Sequence, residues 1–446
     1  MVKNKKSSDV SPREEVVKSN GRRSRTKTPK SLRDFKHLIV DWTTGLIAAL
    51  EQPRATLRFS RLLLVFEFFL CAFIIRHVNY TEIDWEAYMQ EVEGFLNGTL
   101  DYRLLEGSTG PLVYPGGFVY IFSAFYYLTD NGKDIRTAQW IFSAVYLLTL
   151  VLVFRLYHKS QRIPPHVLFL MCGLSYRIHS IFVLRMFNDC IAMLLLYASA
   201  NLFVDNWWLI GCLLFSAAVS VKMSVLLFAP ALLFLLLQQG YRTTLKGLSI
   251  CGGLQLVLGA PFLLTNPRSY IERSFDLKRQ FFYKWTVNWR FLEEEVFLDR
   301  TFHIGLLVIH LGLLVAFLWK IWLPLRKFVL QRDFQGVNAK LLTLFSCNLI
   351  GIACSRSLHY QFYVWYFHTL HFLLWILPMQ NAARILLLGM IEYSWNTYPS
   401  TSLSSWVLLL AHASILLNLF RFSRNTRDLL SGDQSVHSVK SSVKAR

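Results

Sequence analysis

The chain has 446 residues, of which 54% are apolar and only 17% are charged, and its mean hydropathy is +0.36. Soluble proteins average about 25% charged residues, so this composition excludes a secreted disulfide scaffold, a coiled coil and a disordered chain. The formal net charge is +19, and the seven cysteines follow no spacing typical of disulfides or of a metal site. The composition therefore predicts an all-α polytopic membrane protein.

The basic residues concentrate at the two ends of the chain. Residues 1–40 hold twelve Lys and Arg against four acids, and residues 421–446 hold six against two. Such ends favour disordered tails beside anionic lipid headgroups on the cytosolic side rather than nucleic-acid binding. The 56 polar residues before the first apolar run also argue against a cleaved signal peptide. We expect a transmembrane domain over residues 57–420 between basic cytosolic tails at 1–56 and 421–446.

Between the tails, apolar runs recur at lengths that suggest membrane spans of about 20 residues. Twelve crossings would return the C-terminus to the cytosol and place the basic turn at 155–162 on that side. Residues 117–128 are only about half a span and predict a re-entrant or interfacial helix. The Gly- and Pro-rich stretch 104–117 before them predicts a turn into that helix or a close approach of the backbone to a ligand. The runs lie near residues 60–75, 138–157, 166–183, 189–204, 207–220, 223–238, 247–264, 304–319, 338–353, 362–379, 383–392 and 402–420.

The first segment assigned to the lumenal side, residues 77–116, carries seven acids. Residues 82–93 predict a helix on the membrane surface, with Asp84, Tyr88 and Glu91 on one face at i, i+4 and i+7. A solvated acidic loop would account for most of these acids. It leaves unexplained a carboxylate, Asp84, about eight residues beyond a transmembrane helix, where its position is well defined. A general base needs such a fixed reach of about 3 Å, so Asp84 is the candidate base.

Ionisable residues also occur at membrane depth, where they usually face a bundle interior or a water-filled site. Arg185 and Asp189 are four residues apart and either pair on one helix face or contribute to such a site. Lys222 has no acid nearby in the sequence. It is either a snorkelling lysine or a contact for a lipid phosphate. Both pairs of alternatives stay open at this stage.

Two further segments combine basic and aromatic residues. Residues 265–300, on the predicted lumenal side, hold seven Lys and Arg interleaved with Phe, Tyr and Trp. An aromatic interfacial belt is one explanation. Recognition of phosphate by Arg and Lys, and of sugar faces by flat rings, is the other. The segment 355–368 adds Arg356 and His359 at the start of a later run.

These segments carry a family resemblance. Four blocks are similar to the dolichyl-phosphate-mannose-dependent alpha-1,3-mannosyltransferases of the asparagine-linked glycan pathway, within a resemblance that covers about residues 60 to 420. They read EIDWEAYMQEVEGFLNGTLDYRLLEGSTGPLVYPGGFVYIF, RIHSIFVLRMFND, RSFDLKRQFFYKWTVNWRFLEEEVF and SRSLHYQFYVWYFHTL. The resemblance implies a GT-C glycosyltransferase-like helical bundle in the endoplasmic reticulum membrane, with about 12 spans and a long helical first lumenal loop.

The resemblance also implies a reaction: transfer of mannose from dolichyl phosphate mannose to Man5GlcNAc2-PP-dolichol in alpha-1,3 linkage, giving Man6GlcNAc2-PP-dolichol. Enzymes of this class keep an essential acid in the first lumenal loop, and Asp84 is the matching residue. A beta-linked donor and an alpha product require inversion in one displacement, with Asp84 as base and cations on the departing phosphate. The candidate donor-phosphate contacts are Arg185, Lys222, Arg356 and His359. The candidate acceptor contacts are Trp85, Glu91, Arg279, Lys284, Trp285 and Trp289.

We expect no metal and no other cofactor, because fixed Lys and Arg can hold the phosphate. The expected partners are the two lipid-linked substrates and membrane lipids, without nucleic acid, and the oligomeric state is unknown. A transporter or scramblase would favour inverted repeats, which the sequence does not display. A noncatalytic subunit of a glycan assembly complex would tolerate Asp84→Asn. Glycosylation sequons begin at Asn79 and Asn97, and Asn97 is the one farther from the membrane.

Overall fold

The computed structural model describes residues 32–276 and 282–422, and these residues are mostly helical. The chain forms two compact units, residues 1–48 and 49–446. Helix α1 (Leu32–Glu51) accounts for the described part of the first unit. Residues 32–51 of the basic tail expected over residues 1–56 therefore form a helix, in which apolar residues recur at a helical spacing. The remaining tail residues, 1–31 and 423–446, lie outside the described part of the chain.

The first half of the second unit supplies several of the helices that line the candidate site. Between α3 and α4 the chain forms a short antiparallel hairpin in which Glu106 pairs with Pro111. The elements are α2 (Thr56–His77), α3 (Trp85–Leu96), β1 (Glu106–Gly107), β2 (Gly110–Pro111), α4 (Gly116–Leu128), α5 (Ile135–Ser160), α6 (Pro165–Leu174), α7 (Tyr176–His179), α8 (Asp189–Val204), α9 (Trp208–Val221) and α10 (Ala229–Gln238).

The second half combines exposed apolar helices with a buried core. Helices α16 and α17 are almost wholly buried, whereas α11 and α14 bury few of their side chains, as lipid-facing helices do. The elements are α11 (Tyr241–Thr265), α12 (Pro267–Ser274), α13 (Glu294–Leu298), α14 (Arg300–Phe317), α15 (Leu323–Val329), α16 (Phe334–Ala353), α17 (Phe367–Ile376), α18 (Asn381–Asn396) and α19 (Ser402–Phe422).

Within the described ranges, five helices are long and apolar enough to cross a membrane, or six if the bent pair of α6 and the segment after it counts as one span. Several other apolar helices are shorter, at 10–17 residues. Each of the twelve predicted runs overlaps helical chain, and residues 117–128 lie within helix α4. The fold is therefore a helical membrane protein, and the count of twelve crossings stays a prediction.

The helices are interrupted near one another in space. A π-helical turn spans Ser180–Leu184, and 3-10 turns span Met223–Phe228 and Tyr360–Trp365. At membrane depth, backbone departs from the α-helix only where protein covers it or where it lines a cavity. Residues of all three interruptions line the same cavity.

Candidate active site

A cavity of about 2200 Å³ is lined by residues from several segments, among them α2, α3, α14 and the 355–365 segment. Its surface combines apolar side chains such as Phe66, Leu70 and Leu307 with charged ones. The structure brings seven of the predicted site residues to this cavity, from segments far apart in the chain. They are Asp84, Glu91, Arg185, Lys222, Trp285, Arg356 and His359.

Helix α3 presents one face to the cavity. Asp84, Tyr88 and Glu91 all line it, which confirms the face predicted from their spacing. Asp84 is half-buried, and Glu91 is buried. The Tyr88 hydroxyl lies 3.3 Å from Asp84 Oδ2, and its ring packs against Phe118 and Phe122. The α3 face therefore delivers two carboxylates and a phenol to one polar surface.

The start of α3 differs slightly from the predicted helix at residue 82. Asp84 occupies the N-cap position of α3, but its side chain makes no capping hydrogen bond. Glu82 Oε1 instead accepts the backbone N–H of Glu86 at 3.1 Å, and Glu82 is exposed. Because Glu82 satisfies that helix N–H, the Asp84 carboxylate is directed to the cavity rather than to the helix end.

Trp85 serves a different role from the predicted acceptor contact. Its side chain is 1% exposed, and its Nε1–H donates to the Gly132 carbonyl at 3.0 Å. Its ring packs against Phe122 and Phe142. Trp85 follows Asp84 directly but points into the core, so it anchors the start of α3 and does not line the cavity.

The loop after α3 is held by a second acid. Asp101 accepts hydrogen bonds from Asn266 Nδ2 at 3.0 Å and Ser269 Oγ at 2.9 Å, at the start of α12. Arg103 adds an ion pair of 2.6 Å. The hydrogen bonds from Arg103 are the main reason that the pKa of Asp101 lies below its usual range. Asp101 is thus a structural acid.

Lys222 is buried and paired, which rules out the snorkelling alternative. Its Nζ lies 3.0 Å from Asp189 Oδ2 and 3.0 Å from Asn188 Oδ1, and 4.8 Å from the Tyr114 ring centroid. Asp189 also accepts the Trp365 Nε1–H at 2.5 Å. An ammonium has three donors, and these two acceptors use two of them. Lys222 therefore retains donor capacity on the cavity that it lines.

Arg185 and Asp189 do not form the ion pair that their spacing in the sequence allows. The π-helical turn ends at Leu184, Met186 has a φ of +50°, and α8 begins only at Asp189. The two residues therefore do not share one helix face. Arg185 donates to Ser180 Oγ and lines the cavity.

Residues 286–289 bind the segment that carries Arg356 and His359. Asn288 Oδ1 accepts the Leu358 N–H at 2.7 Å, and Asn288 Nδ2 donates to the Ser355 carbonyl at 2.8 Å. The Trp289 Nε1–H donates to the same carbonyl at 2.8 Å. Trp289 is 9% exposed and is packed in a small core of its own, so the predicted acceptor contact at Trp289 is a structural residue.

The other predicted acceptor contacts in this region have mixed outcomes. Trp285 lines the cavity and stacks on Tyr398 with an interplanar angle of 11°. Lys284 is exposed beside Trp285, with Nζ 4.9 Å from the ring centroid. Arg279 lies in residues 277–281, outside the described part of the chain.

A second buried cluster of titratable side chains, not predicted from the sequence, reaches the cavity through His179. His179 lines the cavity, and its Nε2 lies 2.7 Å from Glu67 Oε2, with the Tyr146 hydroxyl 3.2 Å from the same oxygen. The signal for Glu67 was an acid in the middle of an apolar run. Its partner is 112 residues away in the chain, so only the fold reveals the pair.

The Gly- and Pro-rich stretch 104–117 leads into α4, as one of its two alternatives predicts, and its last two glycines serve helix packing. A Cβ on Gly117 would lie 2.0 Å from Ser220 Oγ, and one on Gly116 would lie 2.6 Å from the Leu258 carbonyl oxygen. These glycines let the start of α4 contact α9 and α11. Among the described residues, no three His, Cys, Asp or Glu side chains group as metal ligands would.

The apolar helices and the cavity lined by both charged and apolar side chains define a membrane protein with a site suited to amphipathic ligands. The family model described as ALG3 protein matches residues 61–405, so the chain belongs to this family. Relatives named Dol-P-Man:Man(5)GlcNAc(2)-PP-Dol alpha-1,3-mannosyltransferase include a Mus musculus protein, 55% identical over 83% of this chain and 88% of its own length. The Homo sapiens protein is 56% identical over the same shares, and the Arabidopsis thaliana protein is 43% identical over 88% and 94%.

Proposed function

We propose that this chain is a glycosyltransferase that transfers mannose from dolichyl phosphate mannose to Man5GlcNAc2-PP-dolichol. The product is Man6GlcNAc2-PP-dolichol with a new alpha-1,3 bond. Family membership and the printed names of the relatives support the activity. The observation that carries the mechanism is that Asp84 and four cationic or imidazole side chains line one cavity.

Asp84 is the proposed general base. It takes the proton of the acceptor hydroxyl, whose oxygen forms a bond to the anomeric carbon as the bond from that carbon to the donor phosphate breaks. The displacement inverts the anomeric centre, and dolichyl phosphate leaves with the electron pair. The core anchoring of Trp85 supports this assignment because it holds the neighbouring Asp84 in place.

The departing phosphate gains negative charge, so preorganised cations lower the barrier. Lys222, Arg356 and His359 are the proposed contacts, with Arg185 behind them, and all four line the cavity. We further propose that no metal is needed. Purified enzyme in excess chelator should keep its activity, and a loss restored by Mg²⁺ or Mn²⁺ would contradict this claim.

The apolar part of the cavity suits a polyprenyl chain. Phe66, Leu70 and Ile74 follow one face of α2, and Ile304 and Leu307 face the cavity from α14. The acceptor sugars would contact Glu91 and Trp285, with Lys284 beside the latter. These assignments give lipid and sugar different parts of one cavity lining, as an amphipathic substrate requires.

For the membrane arrangement, we propose a GT-C bundle of about 12 spans in the endoplasmic reticulum, with both termini cytosolic and the cavity facing the lumen. Asn97 supports a direct test, because it is exposed at the end of α3. A glycosidase-sensitive mobility shift that is lost in Asn97→Gln would place α3 in the lumen. Labelling of a cysteine at position 97 from the cytosol would contradict the proposed topology.

The activity itself is tested with purified full-length protein, synthetic dolichyl phosphate mannose and Man5GlcNAc2-PP-dolichol. We expect a product one mannose larger that an alpha-1,3-specific mannosidase trims back. Absence of transfer by folded wild-type protein would contradict the proposed activity. Transfer by Asp84→Asn at the wild-type rate would leave the activity intact but refute Asp84 as base.

A further inference from the structure

A continuous series of polar contacts joins the proposed base to a proposed phosphate contact. The Tyr88 hydroxyl lies 3.3 Å from Asp84 Oδ2 and 3.3 Å from Asn188 Oδ1. Asn188 Oδ1 in turn accepts from Lys222 Nζ at 3.0 Å, and Lys222 pairs with Asp189 at 3.0 Å. The series crosses from α3 to the start of α8 and the end of α9.

Asp189 lies at the far end of this series. It is fully buried, and the two side chains that donate to it, Lys222 and Trp365, both line the cavity. A buried carboxylate pays a large desolvation cost, and a buried ion pair is often no more stable than an apolar pair of similar volume. Stability alone therefore does not explain the charge at Asp189.

The local geometry suits the orientation of an ammonium group. Lys222 follows the last residue of α9, where the helix dipole favours a cation, and Asp189 is the first residue of α8, where it favours an anion. A lysine side chain is long and flexible, so a cation used for binding needs its position fixed. Asp189 and Asn188 supply two acceptors 3.0 Å from Nζ.

We propose that Asp189 is a positioning residue that holds the Lys222 ammonium against the donor phosphate, and that Asn188 and Tyr88 extend this support to Asp84. The inference deepens the proposed function and rests on it. Asp189 acts through Lys222 and does not touch the substrate. Its loss should therefore weaken donor binding only while Lys222 is present.

A double-mutant cycle on the purified full-length enzyme tests this dependence, with kcat and the donor KM measured for each variant. Asp189→Asn should raise the donor KM about tenfold or more, within the ~10–150-fold range for a hydrogen bond to a charged group. Lys222→Met should do the same. In the Lys222→Met background, Asp189→Asn should change the donor KM less than about twofold, because the two residues act as one unit.

The chain offers a matched control at the other end of the same helix. Asp205 follows the last residue of α8 and pairs with Arg155 and Lys159, and α8 is 16 residues long, or about 24 Å. Asp205→Asn makes the same substitution and breaks two ion pairs, but at a residue that does not line the cavity. Its donor KM should equal that of the wild type, whatever its effect on thermal stability.

A second variant keeps the inference testable if Asp189→Asn does not fold. Trp365→Phe removes one donor to Asp189 and retains an aromatic ring for stacking on Phe362. It should raise the donor KM by a smaller factor, and that rise should disappear in the Lys222→Met background. The inference is overturned if the effects of Asp189→Asn and Lys222→Met on the donor KM multiply in the double variant. It is also overturned if Asp189→Asn leaves the donor KM unchanged. Full activity of Asp84→Asn would instead refute the proposed base. The double-mutant cycle on Asp189 and Lys222 would still test the inference.

Discussion

Helix α3 and the segment 283–292 are both rich in charged and aromatic residues, yet they use them differently. In α3, Asp84 and Glu91 reach the cavity while Trp85 packs in the core. In the second segment, Trp285 reaches the cavity, whereas Asn288 and its neighbours form hydrogen bonds to the backbone of residues 355–358. Composition alone does not separate ligand-facing residues from structural ones.

The difference follows from regularity. A helix repeats its direction every three or four residues, so the Asp84 face could be identified from spacing. The segment 283–292 is irregular, with a single 3-10 turn at Tyr283–Trp285 and a positive φ at Trp289. Its side-chain directions follow from contacts with distant segments, which spacing does not reveal.

The largest expected effect tests the cavity-facing role of α3. Asp84→Asn preserves size but removes the base, so kcat should fall about 10²–10⁴-fold with little change in KM. Glu86→Gln is the matched control and should change kcat little, because Glu86 is exposed on α3 and accepts a hydrogen bond from Gln90. If Asp84→Asn keeps more than about a tenth of wild-type turnover, Asp84 is not the base. An inactive Glu82→Gln variant together with an active Asp84→Asn variant would assign the role of base to Glu82.

A second prediction tests the structural role of the irregular segment. Asn288→Ala leaves the buried Leu358 N–H unpaired and removes a donor from the Ser355 carbonyl, at about 1–3 kcal/mol per unsatisfied buried group. We expect a lower thermal midpoint and a higher donor KM, because Arg356 and His359 lose their support. Unchanged stability and unchanged donor KM together would show that the 355–359 segment holds its conformation without Asn288.

Glu91→Gln sharpens the description of the α3 face. Glu91 shares that face with Asp84, and its replacement keeps the shape while removing the charge. We expect the acceptor KM to rise about 2–10-fold, the equivalent of one hydrogen bond, with the donor KM unchanged. The measurement is an acceptor titration at saturating donor. A selective change in the donor KM would assign Glu91 to the other substrate.

The smallest effects compare the two tryptophans of the irregular segment. Trp285→Ala should raise the acceptor KM a few-fold without changing the thermal midpoint, because its exposed ring lines the cavity. Trp289→Phe should lower the midpoint by the equivalent of about 1 kcal/mol, since it loses the bond to Ser355, and should leave the acceptor KM unchanged. A lower midpoint for Trp285→Ala and a higher acceptor KM for Trp289→Phe would make Trp285 the structural residue and Trp289 the acceptor contact.

Much of the molecule was predictable from local pattern. The apolar runs fall on helices, residues 117–128 lie within α4, and Asp84, Tyr88 and Glu91 share a cavity-facing side of α3. These features depend on hydrophobic runs and on a period of 3.6 residues, both of which a single sequence displays. The four family-like blocks also identified the family to which the chain belongs.

The tertiary structure alone decided which residues pair. Lys222 meets Asp189 across 33 residues, and Asn288 reaches Leu358 across 70. Trp85, adjacent to Asp84, turned out to be a core residue because α4 and α5 cover it. Such contacts depend on how helices pack against one another. Many packings satisfy the same apolar pattern, so the pattern predicts which faces are buried but not which residues meet there.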